Sequence, residues 1–183
     1  MNSNIIKIVY FWILFSLLIN GNLYAQAREY VMKAVAIEKI ARYVSWPEYL
    51  SMEDTTNPFI ITIIGTNPFG LLLEEIYKDK KIKNKPVIIN TISTTDEIKN
   101  CHILFIATSE ETKISEAIHI AYEKSILTMA ETEGFAEKGV LIEIGVKKNK
   151  ITFIINETAM KKSGIKVSAL ILRLAQIVNP LNR

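Results

Sequence analysis

One cysteine and two histidines in 183 residues set the first limits on what this chain does. Cys101 has no partner for an internal disulfide, so stability rests on packing even in an oxidising compartment. A metal centre needs several His, Cys or carboxylate ligands converging on one ion, and only Cys101, His102 and His119 supply the nitrogen and sulfur kinds. Charge of either sign is also short of an excess: 22 Lys and Arg against 19 Asp and Glu give +3, too near balance to point to nucleic acid or an anionic membrane. Catalytic motifs are missing too. No serine sits in a G-x-S-x-G elbow, and there is neither a G-x-G-x-x-G fingerprint nor a P-loop lysine. Cys101 and His102 are neighbours on an expected strand, where adjacent side chains point to opposite faces and cannot act together. His102 heads a buried strand and His119 lies mid-helix, so both read as structural histidines, and Cys101 as a small buried hydrophobe. There is no internal repeat and no low-complexity tract.

What is present begins with Lys7, an apolar run from Ile8 to Ile19, and the polar break Asn20-Gly21-Asn22. That is the layout of a secretory signal peptide. The run falls well short of the roughly 20 residues that span a bilayer, so an uncleaved anchor is the weaker reading. The small-residue pattern Ala25-Gln26-Ala27 favours a cut after Ala27, with Ala25 the alternative, and no cysteine is near for lipid attachment. The expectation is a signal at residues 1–25 and one α/β domain over 28–183, exported to the periplasm with no membrane insertion of the mature chain.

From Tyr30, the residues Ala34, Ile37, Ala41 and Val44 follow at helical spacing, and Pro47 should stop the helix at Trp46. After a polar linker over 51–57 comes Phe59–Ile64, an apolar, β-branched strand of the kind covered on both faces. In the loop Gly65-Thr66-Asn67-Pro68-Phe69-Gly70, Asn67 is positioned to cap a helix starting at Pro68. Strands follow at Val87–Ile92, His102–Ala107 and Ile126–Ala130. Between the last two, Thr108-Ser109-Glu110-Glu111 reads as a capping box opening a helix through Ile114, Ala117, Ile118 and Ala121. This alternation implies βαβ units and a mostly parallel sheet. Val140–Val146 and Ile151–Ile155, around the turn Lys147–Lys150, add an antiparallel hairpin. A last helix is expected from Ser168 through Leu170, Ile171, Leu174, Ala175 and Val178, ended by Pro180. The fold class is therefore α/β, with a C-terminal β-hairpin and flanking helices.

Two surfaces are candidates for function. Asn67, Pro68, Phe69 and Gly70 occupy the first strand-to-helix turn, where doubly wound folds bind ligands and a helix N-terminus attracts anions. Thr108, Ser109 and Glu131 would line the same edge. Bulky Pro68 and Phe69 oppose the close approach of a pyrophosphate, and turn geometry accounts for the loop equally well. The second surface is Tyr43, Trp46 and Pro47, aromatic anchors for a partner or a dimer mate; alternatively, Trp46 packs the helix end onto the sheet.

Seven segments in order carry a family resemblance: Lys33-Ala34 with Ile40 to Pro47, Ile63 to Gly70, Cys101 to Ile106, Ile126-Leu127-Thr128, Gly134 to Gly139, Ile151 to Asn156, and Ile165 to Ser168 with Leu172 to Ala175. Together they resemble the YfiR/HmsC-like family of periplasmic proteins. Departures are Gly139-Val140 in place of two glycines, Ser168-Ala169 in place of two serines, and Cys101 standing without the further cysteines of better-known members. The resemblance implies a compact Rossmann-like domain, a homodimer, without catalytic activity or cofactor. It also implies a repressor that binds the periplasmic domain of an inner-membrane signalling protein, a diguanylate cyclase, and holds down cyclic-di-GMP, exopolysaccharide and biofilm output. Related domains serve as sensor modules of membrane kinases, which leaves a small-ligand sensor as the alternative.

Overall fold

The computed structural model describes residues 26–50 and 52–179; the expected signal at residues 1–25 and the expected stop at Pro180 lie outside them. Helix α1 occupies 26–43 and buries Ala34, Ile37, Ile40 and Ala41 completely. It ends before Trp46 because Val44–Ser45 is drawn out as a strand, β1, whose Val44 pairs with Val167 of a second short strand, β8 (Lys166–Val167).

The main sheet contains β2 (Phe59–Ile64), β3 (Val87–Ile92), β4 (Ile103–Ile106), β5 (Leu127–Ala130), β6 (Ile142–Lys147), β7 (Lys150–Asn156) and β9 (Gln176–Val178). Their order across the sheet is β3-β2-β4-β5-β6-β7-β9. Every pairing is parallel except the β6–β7 hairpin. That hairpin turns through Lys148 and Asn149, both at positive φ, the geometry that matches strand twist.

Strand alternation divides the core in two. Phe59, Ile61 and Ile63 of β2 and Ile103 and Phe105 of β4 face one cluster, shared with α1 and with Leu73 and Tyr77 of α2 (Leu72–Tyr77). Ile64, Leu104 and Ile106 face the other, with Ile114, Ala117, Ile118 and Ala121 of α3 (Ile114–Glu123). A sheet covered on both faces is what the uninterrupted apolar strands require.

Several local expectations are corrected. Asn67 does not cap a helix at Pro68: its Oδ1 accepts from Phe69 N at 2.9 Å and its Nδ2 donates to Gly70 O at 3.0 Å. This closes an Asx-type turn, and α2 starts only at Leu72. The Thr108 box does not form either, because Thr108 Oγ1 accepts instead from Thr132 Oγ1 at 3.0 Å and a 3-10 turn, Thr108–Lys113, precedes α3. The chain does use such a box at Thr94 and Glu97.

At the C-terminus, α5 covers only Ala169–Leu174; Ala175 turns extended and Gln176–Val178 joins β7 as a parallel strand, Ile154 opposite Gln176. Ladder hydrogen bonds along the open edge of β7 outweigh a helical pattern whose Leu170 and Leu174 would be, and are, exposed. An unforeseen helix, α4 (Glu157–Ser163), is capped by Asn156, whose side chain accepts from Ala159 N at 2.8 Å, and is ended by Gly164 at φ +71°.

Candidate functional site

By register, β2, β4 and β5 end side by side at Ile64, Ile106 and Ala130. The topology therefore delivers the Asn67–Gly70 loop, Thr108, Ser109 and Glu131 to one crest, the usual ligand edge of an open α/β sheet. The chain's own side chains fill it. Ser109 Oγ accepts from Thr66 N at 3.0 Å. Gly65, at φ +95°, lies so close beneath Ser109 and Glu110 that a Cβ there would collide with both. Phe69 is buried, edge-on to Phe105 at 4.9 Å and to Tyr30 of α1 at 5.5 Å.

Glu131 is engaged from the same helix: Lys33 Nζ lies 2.6 Å from one carboxylate oxygen, and Tyr30 OH donates to the other at 3.2 Å. Lys33 also reaches Glu29 at 2.6 Å. Burial opposes the Lys33 charge, but the hydrogen bonds with Glu131 and Glu29 prevail and raise its pKa above the usual value. Burial and the Glu131 charge raise that of Tyr30. Tyr30 and Lys33 of α1 thus act as a plug over the crest.

The Tyr43, Trp46 and Pro47 group splits between surface and core. Trp46 is only 7% exposed; its Nε1 donates to His102 O at 3.2 Å and its ring lies edge-on to Phe59 at 5.5 Å. His102 stacks on Phe59 at 4.6 Å, and its Nδ1 accepts from Ile60 N at 2.9 Å. Burial, aided by Lys85, pushes the His102 pKa down to about 4. Tyr43 is 41% exposed and Pro47 half-buried, packed near Gly164. Beside Trp46 runs an open cleft of about 470 Å³ between β1, the linker at Met52–Thr55 and the Lys83–Asn84 turn.

Residues 30–176 match the YfiR/HmsC-like family. The chain belongs to that family. The match takes in both the Tyr30–Lys33–Glu131 plug and the Trp46–His102–Phe59 stack of this YfiR/HmsC-like domain. A search of curated proteins gives no match.

Among solved structures, the ABC domain from Streptococcus pneumonia in complex with L-Trp is similar at 10% identity and TM-score 0.51, over 70% of this chain and 59% of that one. A substrate binding protein with adhesive properties from Clostridium difficile, in its ligand-free open form, aligns at 16% identity, 73% and 59% coverage and TM-score 0.49. A conserved domain protein from Vibrio cholerae O1 biovar El Tor aligns at 14%, 70% and 57%, also at 0.49. The YfiR/HmsC-like chain spans less than three fifths of each of these structures. What the likeness shows is the α/β fold.

Other chemistry-bearing residues of this family member are placed apart. Cys101 is buried, its pKa pushed up to about 11 by that burial. His119 is solvent-exposed on α3, 3.7 Å from Glu123, and not the structural histidine expected. Among the described residues, no group of three or more His, Cys, Asp and Glu is positioned to hold a metal ion, and no helix is long and apolar enough to cross a membrane.

Sequence reasoning missed Tyr30 and Lys33 as crest residues, since their partner Glu131 is about a hundred positions away. It also missed Tyr49, 68% exposed beside the Trp46 region with its hydroxyl 2.5 Å from Ser125 Oγ. Only the i, i+3 spacing of Tyr30 and Lys33 hinted that they share a helix face.

Proposed function

We propose that this YfiR/HmsC-like chain is an exported, non-catalytic periplasmic regulator that binds the extracytoplasmic domain of an inner-membrane signalling protein, a diguanylate cyclase, and represses it. One observation carries the reading beyond family membership: the crest where an open α/β sheet takes small ligands is filled by Phe69, Ser109 and the Lys33–Glu131 pair. Recognition then falls to the outer surface. The end of α1 is the first choice there, with Tyr43 and Pro47 reaching solvent over Trp46, and Tyr49 beside them. Aromatic side chains of this kind are favoured binding anchors.

Deleting the gene should raise cyclic-di-GMP and exopolysaccharide. Tyr43→Ala and Tyr49→Ala should leave circular dichroism unchanged while abolishing capture of the cyclase's periplasmic domain. An undisturbed cyclic-di-GMP level and no capture by the unaltered protein would reject the proposal. Export is read from intact mass: protein recovered from the periplasm should begin at Gln26 or Arg28.

A sensor of small ligands at Asn67–Gly70, Thr108, Ser109 and Glu131 makes a different demand. Glu131 would have to exchange Lys33 and Tyr30 for the ligand. A metabolite screen by thermal shift tests it, since a ligand at 100 times its dissociation constant adds about 2.7 kcal/mol.

A further inference from the structure

Two carboxylates of this chain are deeply buried, and they are treated differently. Glu38 is 8% exposed and is held by Arg42 at 2.5 Å. Glu143 of β6 is 5% exposed and, among the described residues, has no cation. Its one bond is Oε2 accepting from Ala136 N at 3.1 Å, which leaves Oε1 without a partner. A buried charge is costly unless it is paired, and a single backbone N–H offsets only part of that cost.

Glu143 lines an open cavity of about 520 Å³, a volume in the range of small-molecule sites. The strand register builds its floor. Glu143 lies opposite Ile154, Ile154 opposite Gln176, and Gly145 opposite Thr152. Residues opposite one another share a face, so these five stand in two neighbouring rows on one side of the sheet. With about 4.8 Å between strands, the row from Glu143 to Gln176 is roughly 10 Å across, the length of a small ligand. Gly145 keeps the second row low: a Cβ there would sit 3.0 Å from Thr152 Oγ1. That hydroxyl has no bond partner among the described residues.

The charges around the cavity decide what fits. Glu133 lines it as well, again with no partner among the described residues, while Glu131 forms a wall with its charge already met by Lys33. Lys147, exposed at the last position of β6, is the one cation in the described lining. A metal ion would need further ligands converging on it, and none of the described residues form such a group. An ammonium, with three donors of its own, suits one carboxylate oxygen and one hydroxyl. Beside them Ile154 and Leu174, the latter 67% exposed, supply an aliphatic side.

We propose that this cavity binds a small organic cation, a primary ammonium carrying an apolar body, with the ammonium on Glu143 and Thr152 and the body against Ile154 and Leu174. The site lies on the β6–β7 flank, apart from the Asn67–Gly70 loop and Ser109, and does not depend on which membrane protein the chain regulates.

The test is isothermal titration of the purified full domain with n-butylamine, isoamylamine and phenethylamine at neutral pH. At least one amine should bind, and isoamyl alcohol and 2-phenylethanol, which keep the body and lack the charge, should bind at least about tenfold more weakly than their amines. Glu143→Gln retains an acceptor for Ala136 N and nearly the same shape, so it should stay folded by circular dichroism while raising the dissociation constant at least about tenfold. Failure of all three amines to bind, alcohols that bind as tightly as the amines, or a folded Glu143→Gln with unchanged affinity would each overturn the proposal. Should Glu143→Gln fail to fold, Gly145→Val decides, since it crowds the floor beside Thr152 and leaves the carboxylate in place: lost binding supports the site and retained binding overturns it.

Discussion

The centre of the sheet and its hairpin end are written in much the same apolar, β-branched residues, yet they are buried to different depths. Every position of β4 and β5 is buried. In β7 the stretch Ile151–Ile154 is only half-buried, and in β9 Gln176 and Ile177 are exposed. The cause is cover: the two core clusters clasp β2 and β4 from both faces, whereas the short α5 gives β7 a thinner coat. Apolar composition records what a strand can bury, and the helices packed over it decide how much it does bury.

The sharpest way to break this comparison is to truncate the same residue type in both places. Phe105→Ala at the centre should cost about 3–5 kcal/mol, and Phe153→Ala in β7 less than half of that, read from urea denaturation midpoints at constant m-value. Equal losses would show that cover is not what separates the two regions.

Next in size is the plug. Glu131→Ala strands the buried Lys33 ammonium with only the more exposed Glu29. Breaking a buried pair from one side costs roughly 3–5 kcal/mol, and the remaining Glu29 brings the loss here below that of Phe105→Ala. Glu131→Gln, which keeps acceptor and shape, should lose less in the same assay.

Third is a pH effect at the central strands. His102 is held neutral, its pKa lowered from 6.5 to about 4 first by burial and then by Lys85. The unfolded chain takes up the proton near pH 6.5 and the folded chain does not, so stability is complete above that pH and falls as the pH drops from about 6.5 to 4. With solvent screening allowed for at this half-buried ring, the loss is on the order of 1–2 kcal/mol. His102→Asn retains an acceptor for Ile60 N and should flatten the melting temperature across that window. An unaltered slope in the variant would assign the effect elsewhere. The smallest change expected is Leu174→Ser at the end of α5, within about 0.5 kcal/mol, because that residue is already 67% exposed.

The strands were legible where hydrophobic pattern and chain direction agree. Phe59–Ile64 and Val87–Ile92 keep their expected bounds because β-branched runs end at Gly65 and Ser93. The hairpin expected over Val140–Val146 and Ile151–Ile155 is present with shifted ends, Ile142–Lys147 and Lys150–Asn156, around a tight turn at Lys148-Asn149. Two element ends depend on partners that a local reading does not contain: Thr108 bonds Thr132, and the segment after Leu174 pairs with β7. Asn67 instead closes a turn with its own neighbours Phe69 and Gly70, a local alternative to the cap. α4 went unseen because seven residues with two lysines give no clear periodicity, and only its flanking Asn156 and Gly164 mark it. The crest was legible as a place and not as a state. Loop positions followed from topology, while its closure depends on Tyr30 and Lys33 arriving from the other end of the domain.

The pairing of Val44 with Val167 also orders events in time. It joins the first helix to the last part of the chain, and Trp46 lies directly beyond it. Loop closure over so long a separation comes late in folding. For a chain that threads through a translocation channel, as the proposed export requires, this wiring acts as a delay: the N-terminal segment emerges first and is latched last. A nascent chain stopped short of Lys166 should therefore remain open to proteases between residues 44 and 57, and the full chain should become resistant there only after Val167 has cleared the channel.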